Sequence, residues 1–145
     1  MTYIPTRWQF QTAARTLVQE VRGEPMDGRK AVAHTLWNRL DSGRWGADLA
    51  AVCLSRSQFS GWGPVNVGSA QEVENFRYST GLADDAPEVV GMISVLLAAR
   101  GEPDPTNGAT HYLRDGTKLP PGSDWTIGAV FCGKFGTQLF YRGVR

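Results

Sequence analysis

The chain has 145 residues, with 15 lysines and arginines against 14 aspartates and glutamates, for a formal net charge of +1. That length supports one domain around one buried core. The even charge balance excludes the basic tract that nucleic acid or an anionic membrane surface requires, and no apolar stretch is long enough to span a membrane.

Met1, Thr2, Tyr3, Ile4 and Pro5 open the chain without an apolar core run or a small-residue cleavage site. They read as no secretory signal, which predicts a protein made in the cytoplasm. A first helix is predicted over residues 7–22, where Phe10, Ala14, Leu17 and Val21 recur at helical spacing. Gly23 and Pro25 end it. Glu20 falls about 60° of arc from Leu17, at the margin of the apolar stripe. A second helix over residues 27–40 carries Val32, Ala33, Leu36, Trp37 and Leu40, with Asp27 as its cap and Ser42-Gly43 as its stop.

A short helix is predicted at 48–54, then a loop through Gln58-Phe59-Ser60-Gly61-Trp62-Gly63-Pro64, whose glycines and proline cannot sustain a helix. Helices follow over 70–80 and 87–101, the second with Val89, Val90, Ile93, Leu96 and Leu97 as its core face. Asp104-Pro105-Thr106-Asn107-Gly108 is turn chemistry, and 110–113 and 130–141 are glycine-broken runs of strand formers. The fold class is therefore α+β, predominantly α-helical, with a small irregular or β C-terminal part, and residues 1–145 form a single catalytic domain.

Glu20 and Glu24 stand four residues apart where the first helix meets its break. A standard glycosidase pair must straddle the scissile bond, which two carboxylates on one helix side cannot do. One of them can act alone, as acid and then base, if the substrate supplies its own nucleophile. Glu20 is the better candidate, because desolvation beside apolar neighbours disfavours its charged form. The alternative is an ordinary solvated helix glutamate. Glu24, between Gly23 and Pro25, reads as a structural residue that orders the turn by hydrogen bonding or pairs with an arginine.

Cys53 and Cys132 could pair as a disulfide or stay as two small buried thiols. With His34 and His111 they could make a zinc site, but none of these residues has the close spacing of a zinc motif, so no metal or other cofactor is expected. Five tryptophans in so short a chain suggest aromatic surface beyond what a core needs.

Glu20-Val21-Arg22-Gly23-Glu24-Pro25, Ala31-Val32-Ala33-His34 and Asn38-Arg39-Leu40 together resemble the SleB-like cell-wall hydrolases, which include spore-cortex-lytic enzymes and phage lysis proteins. The likeness continues through Gln58-Phe59-Ser60-Gly61-Trp62, the run from Asp104 to Tyr112, and Phe140-Tyr141-Arg142. It implies a lysozyme-like fold and cleavage of the β-1,4 bond between N-acetylmuramic acid and N-acetylglucosamine by a lytic transglycosylase. The catalytic glutamate then falls on Glu20. The resemblance puts Gln58 and Ser60 in the glycan groove, Ser60 also within reach of Glu20, while Gln58 read alone is equally a loop-stabilising side chain. Trp62 either stacks on a sugar or roofs the core. Thr110, His111 and Tyr112 fall on the family's site-lining motif, although a histidine such as His111 is more often structural than catalytic. Two departures stand out: Gln19 replaces a frequent glycine, and Gln138 a frequent histidine.

The implied partner is the peptidoglycan glycan strand, acting on a monomer with no nucleic acid and no stable membrane association. An endolysin-type role, with a membrane-permeabilising lysis partner, would bring a cytoplasmic enzyme to extracytoplasmic peptidoglycan. Two rivals remain: a hydrolytic muramidase with a second carboxylate such as Asp48 or Asp115, and a non-catalytic glycan-binding module.

Overall fold

The computed structural model describes residues 4–55, 59, 62 and 70–145. Its elements run α1 (Arg7–Val21), α2 (Met26–Ser42), α3 (Leu49–Leu54), α4 (Ala70–Gly81), α5 (Pro87–Gly101), β1 (His111–Arg114), β2 (Val130–Phe135) and β3 (Gln138–Arg142). Helices packed on one another, with a three-stranded antiparallel sheet at the C-terminal end, make the expected helix-dominated α+β architecture.

α1 is the central element, packed against all four other helices. A capping box starts it: Thr6 accepts from the Gln9 backbone while the Gln9 side chain accepts from the Thr6 N–H. Ala13, Ala14, Leu17, Val18 and Val21 are fully buried, so alanines let neighbouring helices close in while the larger side chains fill the core. From α2, Val32, Leu36 and Trp37 join them, and the Trp37 indole N–H donates to the Leu96 carbonyl of α5 at 2.9 Å.

One cap differs from expectation. Pro25, with φ −63° and ψ 166°, takes the N-cap position of α2, and Asp27 lies inside the first turn with its carboxylate on the N–H of Gly28. The proline's fixed φ lets the cap fall two residues earlier than the Asp27 signal suggested. Gly43 ends α2 in the left-handed region at φ 73°, its N–H on the Leu40 carbonyl.

The strand order is β1-β3-β2. His111 lies opposite Tyr141 and Tyr112 opposite Phe140, while β2 and β3 form a hairpin with an irregularity at Phe131/Gly133. The turn before β1 is built on Asp104. Its carboxylate accepts from the N–H groups of Thr106 and Gly108 and from the Asn38 amide of α2, and Asn38 also reaches the Ala109 carbonyl at 2.9 Å. The expected turn chemistry thus ties the start of β1 to α2, which sets where Thr110, His111 and Tyr112 lie.

Candidate active site

Glu20 occupies the last turn of α1, and β1 brings Tyr112 to it from across the fold. The Tyr112 hydroxyl donates to Glu20 Oε1 at 3.1 Å. Burial pushes the Glu20 carboxyl up from 4.5 to about 6; the Tyr112 hydrogen bond opposes the rise, the Glu72 carboxylate adds to it and the Arg39 guanidinium opposes it. Tyr112 is itself held well above the ordinary tyrosine range by burial and by Glu20, so it stays a neutral donor. A carboxyl that titrates near 6 is part protonated around neutrality, as a general acid has to be.

Arg39 is the residue that the sequence did not single out. It is only 5% exposed, its Nε donates to the Thr110 carbonyl at 2.6 Å, and its guanidinium lies 4.7 Å from the Trp45 ring centre and 5.2 Å from that of Phe59. A guanidinium held between aromatic rings positions the peptide that leads into Tyr112 and places positive charge near Glu20. Desolvation lowers its own pKa, with Tyr112 and Glu20 among the groups that oppose the shift.

Strand alternation separates the Thr110-His111-Tyr112 motif. Tyr112 turns inward onto Glu20 and Phe140, whereas His111 turns outward, its ring 5.5 Å from Trp45 and 5.2 Å from Trp125. Thr110 Oγ1 and His111 Nδ1 are 2.9 Å apart. Burial, with Arg39 and Arg44 nearby, pulls His111 down to about 4, so the ring is neutral at physiological pH. The structure therefore brings Tyr112 to Glu20 and puts His111 in an aromatic cluster completed by Tyr141 and Phe131.

Glu24 does not face Glu20 as a partner. Its Oε1 accepts from the backbone N–H of Thr137 at 3.2 Å and from the Thr137 hydroxyl, tying the α1–α2 turn to the β2–β3 turn. Arg29 closes the same turn from α2, with bonds to the carbonyls of Glu24 and Arg22. Trp62 packs against the core: its indole N–H donates to Thr16 at 2.8 Å and its ring meets Phe76 edge-on at 6.0 Å. It also lines a groove with Trp8, Thr12 and Arg15. Gln58 and Ser60 lie outside the described residues.

A polar pocket of about 240 Å³ opens beside Glu20, lined by Gln19, Arg22 and Glu24 from the end of α1, Gln71 and Asn75 of α4, and Arg114, Thr137 and Gln138 of the sheet. The two sequence departures, Gln19 and Gln138, thus meet in one place. Each departure is visible in the sequence, but no local sequence signal joins them.

Cys53 and Cys132 are free thiols, Cys53 buried and pushed up to about 12 by desolvation. Among the described residues, no three histidine, cysteine or acidic side chains are grouped to hold a metal ion, and no helix is long and apolar enough to cross a membrane.

The fold is shared with solved structures. The catalytic domain of a germination-specific lytic transglycosylase SleB from Bacillus anthracis matches with TM-score 0.69 and 22% identity, covering 98% of this chain and 100% of that one. The catalytic domain of the Bacillus cereus SleB protein matches with TM-score 0.70 and 22% identity, covering 98% of this chain and 95% of that one. Both share the lysozyme-like architecture. No curated protein sequence matches the chain. The sequence profile of the cell wall hydrolases matches residues 23–141, most of the chain, and the protein belongs to the cell wall hydrolase family.

Proposed function

We propose that this protein is a peptidoglycan lytic transglycosylase in which Glu20 alone serves as acid and then as base. The observation that carries the reading is the Glu20 carboxyl, half-buried at the end of α1, held by the Tyr112 hydroxyl and raised to about 6. The Bacillus anthracis structural relative is named a lytic transglycosylase, which supports the reaction class.

In the first step protonated Glu20 donates to the glycosidic oxygen between N-acetylmuramic acid and N-acetylglucosamine. The bond from that oxygen to C1 of the muramic acid breaks, and positive charge develops on C1 and the ring oxygen. Glu20, now a carboxylate, takes the proton of the C6 hydroxyl as that oxygen bonds to C1. A 1,6-anhydro ring forms, Glu20 is protonated again, and no water is consumed. Tyr112 keeps the carboxyl oriented through both proton transfers.

The expected second carboxylates of a hydrolytic mechanism have other work. Asp48 caps α3 by accepting from the Ala51 N–H at 2.8 Å, and Asp115 pairs with Lys134 at 3.0 Å. One observation favours hydrolysis as a second reading: Glu72, on α4, is near enough to Glu20 to raise its pKa. It supplies a carboxylate from a different helix, a geometry that Glu24 lacks.

Mass spectrometry of the muropeptides released from purified peptidoglycan separates the readings. Ends in 1,6-anhydromuramic acid, lost in Glu20→Gln, support the transglycosylase. Reducing ends that require Glu72 support the muramidase, and binding without release by the wild type supports a glycan-binding module. The endolysin-type role rests on the resemblance to phage lysis proteins alone. Its test is whether cells producing the protein lyse only when a membrane-permeabilising agent is added.

A further inference from the structure

The pocket beside Glu20 has unmet hydrogen-bonding capacity along its α1 wall. Gln19 is 6% exposed; its amide nitrogen donates to Ser79 Oγ at 2.7 Å, and Ser79 uses its own proton on the Phe76 carbonyl. The orientation of the amide follows, since a hydroxyl that has already donated can only accept. Gln19 Oε1 is then a buried acceptor with no donor among the described residues. Three residues on, Arg22 Nη2 donates to Asn75 Oδ1 at 3.0 Å and the guanidinium stacks on Tyr78, which leaves Nη1 a buried donor with no acceptor among the described residues. Positions 19 and 22 share one face of α1, and both side chains line the pocket. Buried polar atoms without partners are costly, and such a pair in side chains that line a pocket points to a ligand that supplies the missing donor and acceptor when it binds.

We propose that this pocket holds the peptide stem of the muramic acid unit, so that the enzyme prefers strands that carry their stems. This inference rests on the Glu20 reading only for where the scissile bond lies. An amide of the stem offers an N–H and a C=O together, the complement of Gln19 Oε1 and Arg22 Nη1. The stem is joined through the C3 lactyl group of the same sugar whose C1 is attacked, so it leaves the ring close to the acid. At the open rim, Arg114 and Gln138 face each other across the β1–β3 ladder, where Arg114 can meet a stem carboxylate. The ionisable groups around the pocket are Arg22 and Arg114 against Glu20 and Glu24. That balance suits a peptide with one or two carboxylates and disfavours a polyanion such as a wall phosphate polymer.

The test compares cleavage of stem-bearing glycan strands with cleavage of the same strands stripped by an amidase. The wild type is expected to favour the stem-bearing strands by about tenfold in kcat/KM. Arg114→Ala and Gln19→Met should each bring that ratio to within about threefold. Arg114 is exposed, so its variant folds, and circular dichroism checks the Gln19 variant. Equal rates on the two substrates, or a ratio that neither variant moves, would overturn the proposal. A second arm measures binding of muramoyl dipeptide and of polyphosphate to Glu20→Gln by calorimetry. Dipeptide binding weakened by Gln19→Met supports the pocket even if the wild type cleaves neither strand, a result that would count against Glu20 instead. No dipeptide binding, or its displacement by polyphosphate, overturns the stem.

Discussion

Tyr112 and Glu20, 92 positions apart in the chain, meet through one 3.1 Å hydrogen bond, and that bond opposes the burial that raises the acid. Tyr112→Phe keeps the ring and removes the donor. Glu20 should then titrate above 6, so the alkaline limb of the pH–rate profile moves to higher pH while the maximal rate falls roughly tenfold as the carboxyl loses its orientation. A limb that stays in place or moves to lower pH would show that Tyr112 does not act on Glu20.

Glu20→Gln should separate activity from stability. Loss of the acid lowers kcat by about 10²–10⁴-fold. The folded-state pKa of Glu20 is raised, so its contribution to stability is fully present below the unfolded value of 4.5 and is lost as pH rises through about 6. By pH 8 the wild type has lost up to roughly 2 kcal/mol that the neutral glutamine never loses. Thermal unfolding should therefore show the variant gaining on the wild type between pH 4 and pH 8. A constant difference across that range would mean that Glu20 is not held in a desolvated site.

Arg39 couples the site to the fold. Arg39→Met removes the donor to the Thr110 carbonyl and the cation over Phe59, while Arg44 still lies 4.6 Å from the Trp45 ring centre, at a cost of about 2–3 kcal/mol in chemical denaturation. The loss of positive charge should also raise both Glu20 and His111, since Arg39 lowers both. Nuclear magnetic resonance titration of the His111 ring reads this directly. A His111 pKa that stays near 4 in the variant would remove Arg39 from the electrostatics of the site.

How much of this was legible in the sequence depends on how local each feature is. α5 shows its bounds because Pro87 opens it and apolar residues recur up to Gly101, and α1 is betrayed by its stripe and the Gly23–Pro25 break. Glu20 at the stripe's margin could be read in the same way, because 3.6-residue periodicity is a local property. The strand-forming runs were visible too, but not the order β1-β3-β2, which depends on contacts made only once the chain folds. Tyr112 came to notice through the family motif alone. Arg39 stands in the motif segment Asn38-Arg39-Leu40, yet no site role could be read for it, because an arginine on a helix ordinarily faces water and nothing nearby in the sequence announces the rings that bury it. His111 had the right neighbours in sequence, yet strand alternation turns it away from Glu20, a consequence of β1 beginning at His111.

The contact of Glu24 with Thr137 closes the molecule from the other side of the site. Gly136 precedes that threonine at φ 60°, and a Cβ there would lie 3.1 Å from Glu24 Oε2 and 3.2 Å from Pro25 Cδ. Gly136→Ala therefore strains the backbone and crowds the carboxylate, for an expected loss of about 1–2 kcal/mol. Glu24→Ala removes the acceptor of two hydrogen bonds from Thr137, for roughly 2–3 kcal/mol. Both substitutions break the same contact, so the double variant should lose less than the sum of the two. Glu24→Ala should also lower the melting temperature without abolishing turnover, whereas a catalytic partner of Glu20 would lose turnover at unchanged stability. Denaturation of the single and double variants, with turnover measured well below each melting point, decides whether the motif's second glutamate belongs to the chemistry or to the hinge between α1 and the sheet.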